Sequence, residues 1–409
     1  MMTTLSFFEW MMAGIFATSA SLIVYHHVGY PVLLKWIAGR QKQTSNLCSN
    51  TLQRHYLVQQ NDKMLPSITI VVPAYNEAHW IADKIRNLAS LDYPADKLRV
   101  VIACDGCTDN TVDIAQDTIQ EAICSEMLFE IHDYPVNRGK VAVINDEVAQ
   151  ISSEITALSD VSALISVDAL LLAAAHFEQQ ETGVVNASYR IWCHENSAEN
   201  AYWQYQTRIK ATESSIGSSI GSHGAFYLFR TKLFTPLSSN TINDDFILPM
   251  NIVKQGHKAD YETEMVALEL ERSELQQDYA RRLRISAGNM QQLIALAALL
   301  NPKFGGTAFT FFSGKGLRLL TPYLMLLCLI TSLWLMQHVI FAALLGLQLA
   351  IYLCAILGHY WPIAAKFKPI RLIHYLVTGH LANLLGGLRY LLGKENGHWT
   401  RVHHDGERS

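Results

Sequence analysis

Three short apolar runs of this chain are bordered by carboxylates. Asp105 comes after Leu98-Arg99-Val100-Val101-Ile102, Asp160 after Ile155-Thr156-Ala157-Leu158, and Asp244-Asp245 stand just before Phe246-Ile247-Leu248. Runs of this length and β-branched content read as strands, and in an α/β sheet the strand ends open onto the ligand crevice. Acids repeated at those ends point to a site for a nucleotide and a metal ion. The same pattern sets the fold class. Between about residues 66 and 284, β-branched runs alternate with helical ones, which predicts an α/β fold with a parallel or mixed sheet covered by helices. The expected elements are a strand over 68–72 ended by Pro73, a helix over 82–91, a strand over 98–103, helices over 111–119 and 141–151 about a strand at 129–131, and a strand over 184–188.

Apolar segments flank this region. Residues 11–37 are mostly apolar, broken by His26 and His27, and lack a small-residue cleavage site after a basic start, so they read as a retained membrane anchor of about 20 residues. Lys35, Arg40 and Lys42 follow it while Glu9 precedes it, which places the next segment in the cytoplasm. A second apolar block, 317–357, is divided by Gln337-His338 into two lengths that each suffice to cross a bilayer, and Lys366, Lys368 and Arg371 return the chain to the cytoplasmic side. The stretch 372–392, with His374, His380, Asn383 and Arg389, is open between spanning, re-entering and lying in the interface. The run 290–300 reads as an interfacial helix, with a buried core helix as its alternative.

These readings divide the chain into an anchor (1–40), a polar linker (41–65), a cytosolic domain (66–290), an interfacial region (291–316), C-terminal membrane helices (317–393) and a polar tail (394–409). They make it a multi-pass protein of the inner or cell membrane. A hydrophobic share of 50% agrees with partial embedding in lipid. The net charge of -4, with scattered bases, gives no ground for a nucleic-acid partner. A transporter is excluded, because the spans are few and the soluble part is large. Seven cysteines at irregular spacing fit neither a full disulfide framework nor a zinc site, and Cys104-Asp105-Gly106-Cys107 has no second CxxC to match it, so a reducing, cytosolic setting is the simpler reading.

The order of motifs resembles that of the family 2 inverting glycosyltransferases of GT-A type, in particular the membrane-bound exopolysaccharide and cellulose-synthase-like subgroup. Val72-Pro73-Ala74-Tyr75-Asn76-Glu77 is similar to the family's opening strand-and-loop motif, and Cys104-Asp105-Gly106-Cys107-Thr108-Asp109 to its Asp-Asp-Gly-Ser-Thr-Asp motif with Cys in the first place. Asn137-Arg138-Gly139-Lys140 is similar to the Asn-x-Gly-Lys loop, and Ser159-Asp160-Val161-Ser162 occupies the place of the Asp-x-Asp metal motif. Asn243-Asp244-Asp245-Phe246 stands where the family has Thr-Glu-Asp, and Arg281-Arg282-Leu283-Arg284-Ile285 where it has Gln-x-x-Arg-Trp. Gly221-Ser222-His223-Gly224-Ala225-Phe226 resembles the loop under the acceptor.

The resemblance implies a GT-A-type domain with a mixed, mainly parallel sheet. It implies a hexosyl or N-acetylhexosaminyl transfer from a nucleotide-sugar donor, a UDP-sugar, to a saccharide or lipid-linked acceptor. Pro73, Tyr75, Glu77, Asp105, Asn137, Gly139, Lys140, Arg281 and Arg284 would hold the donor, with Asp105 meeting the ring N–H of the base. Asp160 and Ser162 would hold Mg²⁺ or Mn²⁺, which prefer oxygen ligands. Asp245 would be the general base and Asp244 its orienting neighbour, because inversion needs a carboxylate to take the acceptor proton during direct attack. His223 and Gly224 would meet the acceptor. Loss of the Trp of the last motif, where Ile285 stands, weakens the case for long-chain processivity. Polysaccharide-export partners or a homo-oligomer would supply a channel that so few spans do not. The alternative is a catalytically silent, nucleotide-sugar-binding membrane scaffold, to which Cys104 and Ser162 lend support.

Overall fold

The structure is a computed structural model that describes residues 6–40, 60–192, 197–271, 275–361 and 367–394. Most of the expected linker and nearly all of the polar tail lie outside the described residues. The described residues form two compact units: one within 35–271 together with Leu296–Phe309, and one within 6–34, 275–295 and 310–394.

The first unit is built on eight strands: β1 (Ile68–Ala74), β2 (Leu98–Asp105), β3 (Leu128–Tyr134), β4 (Ile155–Ser159), β5 (Ala163–Ile165), β6 (Thr182–Ile191), β7 (Phe226–Arg230) and β8 (Lys258–Glu269). Their order in the sheet is β3-β2-β1-β4-β7-β6-β8-β5. The pairs β1–β2, β1–β4, β2–β3 and β6–β8 are parallel, and β4–β7, β6–β7 and β5–β8 are antiparallel. The sheet is therefore mixed and mainly parallel, as the alternating pattern predicts. All of β1 is buried and all of β2 but Arg99, the signature of strands covered on both faces. Ile70, Val72, Ile102, Cys104, Phe226 and Leu228 pack with the helices Ile81–Ala89 and Ala169–Phe177 in one core. Val71, Val101, Leu158, Tyr227 and Phe229 alternate with them and are also buried, so they face the opposite side.

Two expectations change. Phe246-Ile247-Leu248 is not a strand but part of the helix Asp244–Lys254, with Phe246, Ile247, Leu248, Met250, Ile252 and Val253 buried. A run buried on all sides has no period to separate helix from strand, and the two acids at its start suit a helix N-terminus, where the backbone dipole favours negative charge. β1 continues through Pro73 to Ala74. β5, β7 and β8 are not among the expected strands; they pair with strands distant in the chain.

In the second unit, the described helices include Phe7–Val24, Leu275–Ala295, Leu317–Trp334, Val339–Tyr360 and Lys368–Leu391. Among the described residues, three stretches are long and apolar enough to cross a membrane: Phe7–Arg40, Gly306–Trp334 and Val339–Tyr360. Lys368–Leu391 is helical throughout but is not among them. The break at His26-His27 is a π-helical turn over Tyr25–Gly29, and its polar groups are satisfied by helix-to-helix bonds: His26 Nδ1 lies 2.9 Å from the Ser313 carbonyl and the Tyr25 hydroxyl 2.9 Å from Ser313 Oγ. The run expected as a helix over 290–300 divides at Ala295, where the long helix ends and the 3₁₀ turn Ala297–Leu300 begins in the sheet unit.

Gly106 is where β2 hands over to the site. Its φ is 64°, and a Cβ there would stand 2.2 Å from the Asn137 backbone nitrogen. Both the conformation and the close approach of two backbones require glycine. Gly106→Ala is expected to destabilise the sheet unit by about 2 kcal/mol, read as a lowered thermal midpoint of the purified protein in detergent.

Candidate active site

Three loops and two helix starts meet at the carboxyl ends of β1, β2 and β4. The loop after β1 is tied to the loop after β2: Thr108 N–H donates to Asn76 Oδ1 at 2.8 Å, and Asn76 Nδ2 donates to Thr108 Oγ1 at 3.1 Å. Asn76 holds a positive φ of 55°, which Asn tolerates better than most residues. Asp109 accepts from Thr111 N–H at 3.0 Å and from Ala78 N–H at 3.2 Å, so it organises both loops. Glu77 N–H donates to Thr111 Oγ1 at 2.7 Å, which sets Tyr75 and Glu77 in this linked loop directly after Pro73 and Ala74 of β1.

Asp105, to which the resemblance gives a nucleobase role, is held here by the backbone of a neighbouring loop. It is 1% exposed, and its carboxylate accepts from Arg138 N–H at 3.0 and 3.1 Å and from Gly139 N–H at 2.8 Å. Three contacts to backbone donors leave it a staple between β2 and the Asn137–Gly139 loop. Asn137 Oδ1 adds a further acceptor for Gly139 N–H at 3.0 Å. Gly139 has φ 88° and is followed at once by the helix Lys140–Gln150, whose free N-terminal N–H groups suit an anion.

Lys140 reaches from that helix start to the acids. Its Nζ donates to Asp160 Oδ1 at 2.7 Å and lies 3.6 Å from Asp244 Oδ2. Burial disfavours the Lys140 ammonium, but the Asp160 and Asp244 carboxylates overcome it and hold the pKa above the ordinary lysine value. Burial pushes the Asp160 carboxyl up, and Lys140, His223 and Lys84 more than reverse that push. Asp245 is drawn into the same place by Gly224, whose N–H donates to Asp245 Oδ2 at 3.2 Å. A Cβ at Gly224 would stand 2.8 Å from Asp160 Oδ2. One glycine therefore touches the acid at the end of β4 and the acid at the start of the Asp244–Lys254 helix. Acids 85 positions apart along the chain share one cleft.

Ser162 leads into β5: its carbonyl accepts from Leu270 N–H at 3.0 Å, because β5 begins at Ala163 and pairs with Glu269 of β8. His223 stacks on Tyr189, ring centroids 3.7 Å apart, with Trp203 edge-on to Tyr189 at 4.4 Å. Arg281, exposed, and Arg284, half-buried, lie on the Leu275–Ala295 helix of the other unit and are not among the residues that the sheet unit gathers.

The sequence reading missed Lys84. It is 0% exposed, and its ammonium donates to Ser159 Oγ at 2.6 Å and to the Ala163 carbonyl at 2.5 Å, clasping the turn that carries Asp160. Its signal was present: Ile81, Lys84, Ile85 and Leu88 form the buried stripe of their helix, so a lysine fills an apolar slot.

Among the described residues no group of three or more His, Cys, Asp or Glu side chains is gathered as a metal cage. Asp160 and Asp244 nevertheless suit a hard divalent ion that takes its remaining ligands from phosphate and water. Gly224 leaves the face of Asp160 Oδ2 uncovered by any side chain of its own, and Asp244 Oδ2 is buried with no hydrogen-bond partner.

The comparisons with known proteins agree with this geometry. A family-wide sequence profile described as glycosyltransferase like family 2 matches residues 66–288, more than half of the chain. The chain belongs to that family. A poly-β-1,6-N-acetyl-D-glucosamine synthase of Staphylococcus epidermidis is 25% identical over 247 residues, covering 57% of this chain and 56% of that protein. The Staphylococcus aureus synthase of the same name is 23% identical over 210 residues, covering 48% of each. The chain thus spans about half the length of the curated relatives it matches. The mannosyltransferase PcManGT from Pyrobaculum calidifontis, solved in complex with GDP-Man and Mn²⁺, is similar in fold at a TM-score of 0.65, with 21% identity over 93% of this chain and 100% of that one. The sheet unit is of GT-A type.

Two outcomes follow from the site geometry. Gly224→Ala crowds only the mobile end of Asp160, so the thermal midpoint is expected to hold while kcat for sugar transfer falls about 100-fold, the scale of an ångström-sized misplacement. Burial lowers the Lys84 pKa from 10.5 to about 7, with Asp160 and Glu269 partly offsetting it. The unfolded chain then binds the extra proton between those values, so folding stability rises with pH from about 7 to about 10. Lys84→Met is expected to flatten that rise in thermal melts recorded across the range.

Proposed function

We propose that the protein is a membrane-bound, inverting glycosyltransferase that moves a sugar from a UDP-sugar to a saccharide or lipid-linked acceptor in exopolysaccharide or glycolipid synthesis. The carrying observation is the cleft in which Gly224 meets both Asp160 and Asp245 while Lys140 sits between Asp160 and Asp244. Because the staphylococcal relatives are poly-β-1,6-N-acetyl-D-glucosamine synthases, an N-acetylglucosamine donor is the first to assay.

In this reading the donor diphosphate lies at the start of the Lys140–Gln150 helix. Backbone N–H groups, the helix dipole and the Lys140 ammonium take its charge. Asp105 acts through the loop it staples, and Tyr75 and Glu77 line the base side. Asp160 is the residue that would hold Mg²⁺ or Mn²⁺, with Asp244 beside it and Ser162 two positions on as the second residue of the motif. The ion would stabilise negative charge on the leaving diphosphate. Asp245, positioned by the Gly224 N–H, removes the proton of the acceptor hydroxyl as it attacks. His223, held flat against Tyr189, offers the acceptor a fixed polar edge. Arg281 and Arg284 are assigned to the diphosphate on the resemblance alone. The sheet unit is assigned to the cytoplasm, where nucleotide sugars are available, on the basic residues after the anchor.

Asp245→Asn tests this. Transfer from labelled donor should fall by roughly 10²–10⁴-fold, the span of general-base catalysis, while donor affinity measured by calorimetry stays within about twofold. Retained turnover removes the mechanism. Donor binding by the wild type without transfer to any acceptor instead favours the silent scaffold.

A further inference from the structure

The floor of the cleft holds two buried polar atoms without partners. The Tyr227 hydroxyl and Asp244 Oδ2 are both shielded from water and neither makes a hydrogen bond. Buried polar groups are satisfied in the great majority of cases, so two orphans beside one acid cluster call for a physical reason. Tyr227 belongs to β7 and is 1% exposed, paired in register with Leu158 of β4 and Asn186 of β6. Its strand neighbours Phe226 and Leu228 point into the core on the other face of the sheet. Phe226 is paired with Ser159, the residue before Asp160, which puts Tyr227 one position from the acid-bearing end of β4. Burial raises the Tyr227 pKa well above the ordinary tyrosine value, and Asp244, Asp245 and Asp160 raise it further, so all three acids lie within electrostatic reach and the phenol stays protonated.

Asp244 Oδ2 owes its present compensation to charge alone. Lys140 Nζ stands 3.6 Å away, beyond hydrogen-bond reach, and gives its short bond to Asp160 at 2.7 Å. If the diphosphate draws Lys140 toward itself, Asp244 loses that contact, and an ion held by Asp160 beside it supplies charge but no hydrogen bond to orient the buried carboxylate. A neutral donor on the cleft floor can then hold that carboxylate in place.

We infer that Tyr227 is a positioning residue of the transfer step: its hydroxyl stands ready to donate a hydrogen bond to Asp244 once Lys140 engages the donor diphosphate, which keeps the Asp244-Asp245 pair aligned for attack. No covalent step involves Tyr227. The inference rests on the glycosyltransferase reading above, and it concerns what holds the base and not which residue is the base.

The test is Tyr227→Phe in the full chain, purified in detergent and assayed beside Asp245→Asn with a labelled UDP-sugar. The substitution keeps the ring and removes only an oxygen that has no partner in the ligand-free protein, so the thermal midpoint should not fall. The expected result is kcat lowered about tenfold with donor KM unchanged within about twofold, the pattern of an interaction made after the donor is bound. An unchanged kcat overturns the inference. So does a rise in donor KM that accounts for the whole loss, or a drop in kcat that only accompanies a lower thermal midpoint, since either describes a packing role. If Asp245→Asn abolishes transfer while Tyr227→Phe is silent, this inference fails and the glycosyltransferase reading stands. If Asp245→Asn is itself active, the reading beneath both has failed.

Discussion

The ion pair between Lys140 and Asp160 is the interaction on which the rest of the site depends. It joins the start of a helix to the end of a strand from a different part of the chain, at 2.7 Å, and it places one ammonium between two carboxylates. Without that ammonium, Asp160, Asp244 and Asp245 would confront one another as like charges in a half-buried cleft, a costly arrangement. With it, part of that repulsion is relieved, and a diphosphate arriving with a divalent ion could take over the roles of the acids and the lysine. The ion pair is thus a placeholder for the ligand chemistry that the cleft suits.

Around that pair the sheet supplies rigidity. Lys84 grips Ser159 and Ala163 from one face of the sheet, so the turn carrying Asp160 cannot drift. Asp105 grips the Arg138–Gly139 backbone, so the start of the Lys140 helix is fixed against β2. Gly224 lies against Asp160 and donates its N–H to Asp245. Sites built this way, with functional side chains on element termini and their supports buried behind them, hold geometry better than sites on free loops.

Much of this was legible in the sequence, and the exceptions have physical causes. The alternating runs disclosed the α/β sheet because β1, β2 and β4 are buried on both faces and read as continuous apolar strands. Asp160 stood out as an acid that ends such a strand. Asp105 stood out for the same reason, yet which donor claims a buried carboxylate depends on how closely another loop approaches, and here the gap is set by Gly106 against Asn137. Ser162 reads like half of a metal motif, and the short β5 that follows it, held by pairing with β8, is not announced by its own residues. Tyr227 looks like any core aromatic of a strand, since nothing local marks a hydroxyl that lacks a partner. Lys84 was readable from its place in an apolar helical stripe, where a lysine needs a buried partner to be tolerated.

The central claim is that one cleft, bounded by Lys140, Asp160, Asp245 and Gly224, receives the donor diphosphate. A structure of the full chain in detergent or lipid with UDP and Mg²⁺ tests it most directly. The account requires the diphosphate at the start of the Lys140–Gln150 helix, with Lys140 withdrawn from Asp160 onto a phosphate oxygen. A diphosphate bound elsewhere on the sheet unit, with the Lys140–Asp160 pair intact, would contradict it.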